Sequence, residues 1–205
     1  ERFRNSIMLR QISALREEIE MAHSILKPYG DSADSPELRG RAKEILSRIR
    51  FGSAGYIFAY DYDGNCQVLP TKPAWLGTNR IQEVDKHGRK YVEELVGAAK
   101  KGGDTVRHSF DKPGTKVVAD KIGYAKGFEP WKWMIGTGVY VDDIDSLVAK
   151  HRLEVKTRTR KVILVTILLA LAAMLAVSSI TIAALRKALS PLDALQEGMA
   201  KAASG

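Results

Sequence analysis

The chain has 205 residues and a formal net charge of +8, with one cysteine and four histidines. The excess charge is concentrated: KHRLEVKTRTRK at 150–161, with Arg186 and Lys187, supplies +7 of it, which leaves no broad basic face for a nucleic acid. The single Cys66 excludes an intrachain disulfide framework, and His23, His87, His108 and His151 lack metal-ligand spacing, so neither a metal nor a cofactor is expected.

The chain begins at Glu1 rather than Met and is read as a piece of a longer protein. Residues 3–27 have the pattern of one long helix, because Met8, Ile12, Leu15, Ile19, Ala22 and Leu26 recur at steps of three and four. That stripe suits either packing on a core or pairing with a second subunit, since its spacing is also heptad-like. Lys27-Pro28 should end the helix. A loop, DSADSPEL, leads into a second helix with Ser35 as N-cap and Pro36 in the first turn, its buried face marked by Leu38, Ala42, Ile45 and Ile49.

Residues 55–70 read as a hairpin turned by Asp63-Gly64, and period-two alternation places Tyr56, Phe58 and Tyr60 on one face. A loop at 71–79 carries Trp75. A third helix is expected at 89–101, with Tyr91, Val92, Leu95, Val96 and Ala99 inward and Gly102-Gly103 as its stop. Strands follow at 104–110, 117–126 and 132–140, turned by Lys112-Pro113-Gly114 and by Gly127-Phe128-Glu129-Pro130. Five strands with a helix between the second and third imply an antiparallel sheet backed by the N-terminal helix. From Val141 the pattern is helical, through the basic run and into VILVTILLALAAMLAVSSITIAAL at 162–185. That uncharged stretch is long enough to cross a bilayer, so lipid is an expected partner. Its basic flanks suit interfacial anchoring, and counting them alone would place residues 1–161 in the cytoplasm.

The segments GYIFAYDYDGN, ELVGAAKKGG, KPGTK and YAKGFEPWKWMIGTGVYVDDID together resemble the single Cache sensor domains of bacterial chemoreceptors and sensor kinases. LRKALSPLDALQEGMAKAASG at 185–205 is similar to the first helix of a HAMP domain, with Pro191-Leu192 carrying the likeness. The resemblance implies an α+β, PAS-like fold: a long helix and loop at 1–34, a sensor domain at 35–145, a basic juxtamembrane helix at 146–161, a transmembrane helix at 162–185 and the start of a HAMP domain at 186–205. It also implies a homodimer joined through helices and a small-molecule ligand. The order of domains places the sensor in the periplasm and the HAMP segment in the cytoplasm of a cell with an inner membrane. This is preferred over the charge count, because a HAMP segment must be cytoplasmic to pass a signal inward.

Two departures from the family pattern, Leu69-Pro70 where relatives have His-Pro and TVRHSF at 105–110, fall where such domains line their pocket. A small carboxylate, the favoured ligand, needs a cation, hydroxyl donors and an apolar wall. Candidates are Tyr56, Phe58, Tyr60, Trp75 as lid or packing anchor, Arg107 or His108, Lys121 and Tyr124. Strict alternation places Arg107 opposite to His108, and Lys121 opposite to Tyr124, unless a bulge intervenes near Gly123. No nucleophile–base grouping stands out, so the chain is expected to bind rather than catalyse. The expected function is the sensing and signalling segment of a methyl-accepting chemotaxis receptor; the alternative is the same input on a histidine kinase or cyclase.

Overall fold

The computed structural model describes every residue except Glu1, Ala33, Ser53, Lys116, Ser204 and Gly205, and within the C-terminal helix the side chains at 152, 154–159, 176 and 188–203 are also outside the description. Residues 1–149 make one compact unit and 150–205 a second.

In the first unit, α1 spans Arg2–Gly30 and lays Leu15, Ile19, Ala22 and Leu26 into the core. These side chains are consumed inside the chain and cannot also pair with a second subunit. Pro28 does not stop the helix: lacking an N–H it forfeits the ladder bond to the Ser24 carbonyl, and the ladder resumes with the Asp31 N–H donating to the Lys27 carbonyl at 2.9 Å. In α2, Pro36–Arg48, the Ser35 side chain accepts from the Leu38 N–H, and Ala42 and Leu46 are the buried residues. The inward face is thus turned slightly from the expected stripe, with Ile49 packed beside it.

The expected first hairpin is subdivided. β1 (Arg50–Phe51) pairs with β2 (Gly55–Tyr56) in a small ribbon, and β3 (Phe58–Asp61) pairs with β4 (Cys66–Val68). The β3–β4 turn closes on Asp61, whose Oδ1 accepts from the N–H groups of Asp63 and Asn65, while Gly64 takes the positive φ of 89°. α3 (Tyr91–Lys100), β5 (Asp104–Asp111), β6 (Val118–Phe128) and β7 (Trp133–Tyr140) complete the domain. The main sheet is five-stranded and antiparallel, in the order β4-β3-β7-β6-β5.

β6 is central and regular. It pairs with β5 from Asp104↔Ala125 to Asp111↔Val118, and with β7 from Lys121↔Tyr140 to Phe128↔Trp133, with no shift of register. The bulge considered at Gly123 is therefore absent. Period-two alternation sends Tyr124 and Phe128 to the α1 side, with Trp131, Trp133 and Ile135, and sends Ala125 to the α3 side, with Phe58, Tyr60, Phe110 and Met134. Two apolar layers result, one on each face of the sheet.

α4 runs Val141–Ala203. Its segment Arg160–Lys187 contains an 18-residue stretch of mean hydropathy 2.7 and is long and apolar enough to cross a membrane. The segment read as the start of a HAMP domain is helical as far as Ala203, but its side chains from 188 onward lie outside the described residues.

Ile19→Ala, which empties a fully buried site between α1 and the sheet, is expected to destabilise the sensor unit by about 2–5 kcal/mol. Urea titration followed by the fluorescence of Trp131 and Trp133 measures this, with exposed Glu17→Ala expected to stay within about 0.5 kcal/mol of wild type.

Candidate functional site

Lys121 is 1% exposed in the middle of the sheet. Its Nζ donates to the Tyr56 hydroxyl at 3.0 Å. Four rings surround it, with centroids 4.2 Å (Tyr56), 5.2 Å (Phe58), 5.3 Å (Tyr140) and 5.7 Å (Phe110) from Nζ. No carboxylate pairs with it among the described residues. Burying an unpaired ammonium costs several kcal/mol. Cation–π contacts, each worth up to about 2 kcal/mol when desolvated, offset part of that cost.

The backbone makes room for this arrangement. A Cβ on Gly138 would lie 2.7 Å from the Lys121 Cε, and one on Gly136 would lie 2.5 Å from the Phe58 ring. These two glycines leave the floor of the sheet bare where the lysine and the phenylalanine lie across it.

α3 covers the pouch. The Tyr91 ring stacks on His108 at 5.0 Å and 7°, and meets Phe110 edge-on at 6.0 Å. Its hydroxyl is buried without a hydrogen-bond partner among the described residues, as is the Thr71 hydroxyl. An orphaned buried hydroxyl costs about 1–3 kcal/mol. The enclosed space, walled by Tyr56, Phe58, Tyr60, Tyr91, His108 and Phe110 with Leu69 and Leu95, is about 10 Å³, room for a single water-sized body. A surface cleft of about 600 Å³ at the β1–β2 and β5–β6 turns shares Tyr56 with it.

The charge of Lys121 shapes its neighbours. Burial pushes the Tyr56 phenol up, but the ammonium, by charge and hydrogen bond, more than offsets this and leaves the phenol below its usual pKa. Burial and then the Lys121 charge push the His108 imidazole down to about 4. Burial, followed by the Glu83 carboxylate, pushes the Tyr91 phenol up, so its hydroxyl remains a donor.

Of the residues named from sequence, the structure brings Tyr56, Phe58, Tyr60 and His108 into one wall, with Lys121 packed against the Tyr56 and Phe58 rings. Trp75 lies just outside it, edge-on to Phe110 at 6.2 Å and held between Lys72 Nζ at 4.3 Å and the Arg80 guanidinium at 4.2 Å. These are the contacts of an anchor, not of a free lid. Arg107 and Tyr124 are not in the pouch. Arg107 projects outward to Asp120 at 3.2 Å, where hydrogen bonds from Lys86, His87, Arg107 and Ser109 hold that carboxyl well below the usual range. Tyr124 lies on the α1 face with the Arg16 guanidinium over its ring, because an uninterrupted strand cannot present positions 121 and 124 to the same side.

Sequence reasoning missed Tyr91 and Phe110 as pouch walls, and it missed Tyr140 altogether. The inward face of α3 was a signal for Tyr91, but Tyr140 becomes a neighbour of Lys121 only through the β6–β7 register. Among the described residues, no group of three His, Cys, Asp or Glu is placed to hold a metal.

A family model described as single Cache domain 2 matches residues 7–154. The sensor histidine kinase MctS of Rhizobium johnstonii is 36% identical over 126 residues, covering 60% of this chain and 27% of that protein. The methyl-accepting chemotaxis protein CtpM of Pseudomonas aeruginosa is 24% identical over 194 residues, covering 93% of this chain and 35% of that protein. The chain thus spans about a third or less of these relatives. The crystal structure of a methyl-accepting chemotaxis protein from Vibrio parahaemolyticus superposes with a TM-score of 0.65 at 34% identity, covering 70% of this chain and 97% of that one.

Folding holds His108 neutral down to about pH 4, whereas an imidazole in the unfolded chain takes its proton near pH 6.5. The stability this provides is complete above about pH 6.5 and is lost as the pH falls toward 4, a difference on the order of 3 kcal/mol. The advantage of wild type over H108Q in urea titrations is expected to shrink across that window; parallel pH profiles would show that His108 is not held neutral by the fold.

Proposed function

We propose that this chain, which belongs to the single Cache domain 2 family, is the ligand-sensing and transmembrane-signalling segment of a methyl-accepting chemotaxis receptor and takes a small organic anion in the Lys121 pouch. One observation carries the ligand class: a buried ammonium without a carboxylate partner lies against the Tyr56, Phe58 and Phe110 rings, which also wall the small apolar pouch of the unpartnered Tyr91 hydroxyl. A monocarboxylate supplies what both lack, a counter-charge for Lys121 and an acceptor for Tyr91, while the rings keep water out. Neutral His108 adds a polar edge without a competing charge. Because the space is about 10 Å³, entry requires α3 to move off the sheet. Binding then shifts the population toward that more open arrangement.

In this reading residues 1–149 lie outside the inner membrane, Arg160–Lys187 spans it, and 186–205 begin a cytoplasmic HAMP domain. The protein works as a homodimer, and α1 keeps Leu9, Met21 and Ile25 exposed for that contact. The second reading, input to a sensor histidine kinase, is favoured by the 36% identity to MctS. A shared input domain suits either output, since what the sensor delivers is a displacement of one helix.

The test is a thermal-shift and calorimetric panel on the 205-residue chain in nanodiscs, with acetate, propionate, pyruvate and lactate against ethylamine and adenine. At least one carboxylate is expected to raise the melting temperature. Lys121→Met is expected to weaken it about tenfold or more, the worth of a charge-assisted hydrogen bond, and Tyr91→Phe to weaken it several-fold. Stabilisation by the amine alone, or carboxylate binding untouched by Lys121→Met, would exclude the anion site.

A further inference from the structure

Tyr140 is 1% exposed and stands at a junction of three elements. It is the strand partner of Lys121, and its ring is part of the cage around that ammonium, at 5.3 Å. Its hydroxyl donates to the carbonyl of Asp111, the last residue of β5, at 2.6 Å. The next residue along the chain, Val141, is the first of α4.

Lys112 also lies over this ring, with Nζ 5.6 Å from the centroid. That Nζ donates to Asp142 at 2.8 Å and to Asp143 at 2.6 Å, both in the first turn of α4. The Asp111 side chain pairs with Lys72 at 2.7 Å, and Lys72 lies over Trp75. One tyrosine ring is therefore shared by two ammonium groups, one buried against the pouch rings and one clamping the first turn of α4.

We propose that Tyr140 and Lys112 form the joint through which the pouch acts on α4: Tyr140 is a positioning residue that follows Lys121 and, through its hydroxyl bond to the Asp111 carbonyl, moves the adjoining Lys112, which carries the shift to Asp142 and Asp143. This rests on the sensing role above but not on the identity of the ligand. The competing route is the covalent continuity of β7 with α4 alone, which would transmit any movement of the strand whatever the side chains do. The two routes differ in what Tyr140→Phe changes. The substitution keeps the ring and the strand and removes the bond to Asp111, so it silences the joint and leaves covalent transmission intact.

A double-mutant cycle tests this without a ligand. The pouch is perturbed by Lys121→Met, or by Lys121→Gln should the first variant lose its native tryptophan fluorescence. Amide hydrogen exchange over residues 141–149 is then read in the full 205-residue chain in nanodiscs. The perturbation is expected to change exchange there about threefold or more in the Tyr140, Lys112 background, and to have little effect when Tyr140→Phe or Lys112→Met is already present. Propionate added to the three proteins that keep Lys121, wild type, Y140F and K112M, gives a second perturbation of the same site. An undiminished effect in the Y140F and K112M backgrounds would overturn the joint in favour of strand continuity, and no effect in any background would overturn coupling by either route. Failure of propionate to bind, with the cycle intact, would count against the anion reading and leave the joint standing.

Discussion

The structure turns on one buried charge. Lys121 lies at the centre of a central strand, and the sheet around it is built to tolerate an ammonium there. Tyr56 gives it a hydrogen bond and a ring face, Phe58, Phe110 and Tyr140 complete the cage, and Gly138 leaves space for its methylenes. Its electrostatic reach extends further, lowering the pKa of both the Tyr56 phenol and the His108 imidazole. An apolar residue of similar shape would be a simpler way to fill this volume. A charge kept under these conditions is the reason the ligand site is proposed here.

The two faces of the sheet divide the work. The α1 face is a plain hydrophobic layer in which Trp131 and Trp133 contact at 4.9 Å and Phe128 packs edge-on against Trp131. Among the described residues, the His23 Nε2 is the one buried side-chain polar atom on that face without a hydrogen-bond partner. The α3 face holds the ammonium, the orphaned hydroxyls and the constricted space. α1 thus supplies stability and α3 covers a surface that is costly to leave closed, so an element that moves is more easily found at α3 than at α1.

The same strands that shape the pouch end at the outgoing helix. β7 contributes Gly136, Gly138 and Tyr140 to the pouch and then becomes α4 without a loop. The first turn of α4 is tied back by Lys112 to the β5–β6 turn and by Arg4 to α1, the latter through Asp145 at 2.7 Å. The exposed Arg4–Asp145 pair contributes little to stability by itself. Its position makes α1 and α4 neighbours at the end of the domain from which the chain leaves.

Much of this architecture follows from local pattern. The helical stripe of α1, the Ser35 cap, the Gly102-Gly103 stop, the alternation of Tyr56, Phe58 and Tyr60 and the apolar run within α4 each depend on neighbours within a few residues, so the sequence by itself determined them. The opposition of Lys121 and Tyr124 also followed from alternation alone. What only the tertiary structure decided is which strand positions face each other. If strands ending at 126 and starting at 132 met end to end, Lys121 would face Thr137. In fact β6 runs on to Phe128, a 3₁₀ turn occupies Glu129–Trp131, and Lys121 faces Tyr140. A shift of three residues also changes which side of the sheet the partner occupies. The reason is physical: turn geometry fixes register across strands far apart in sequence, and no local periodicity records it. The cage, the covering by Tyr91 and the link to α4 all depend on that register.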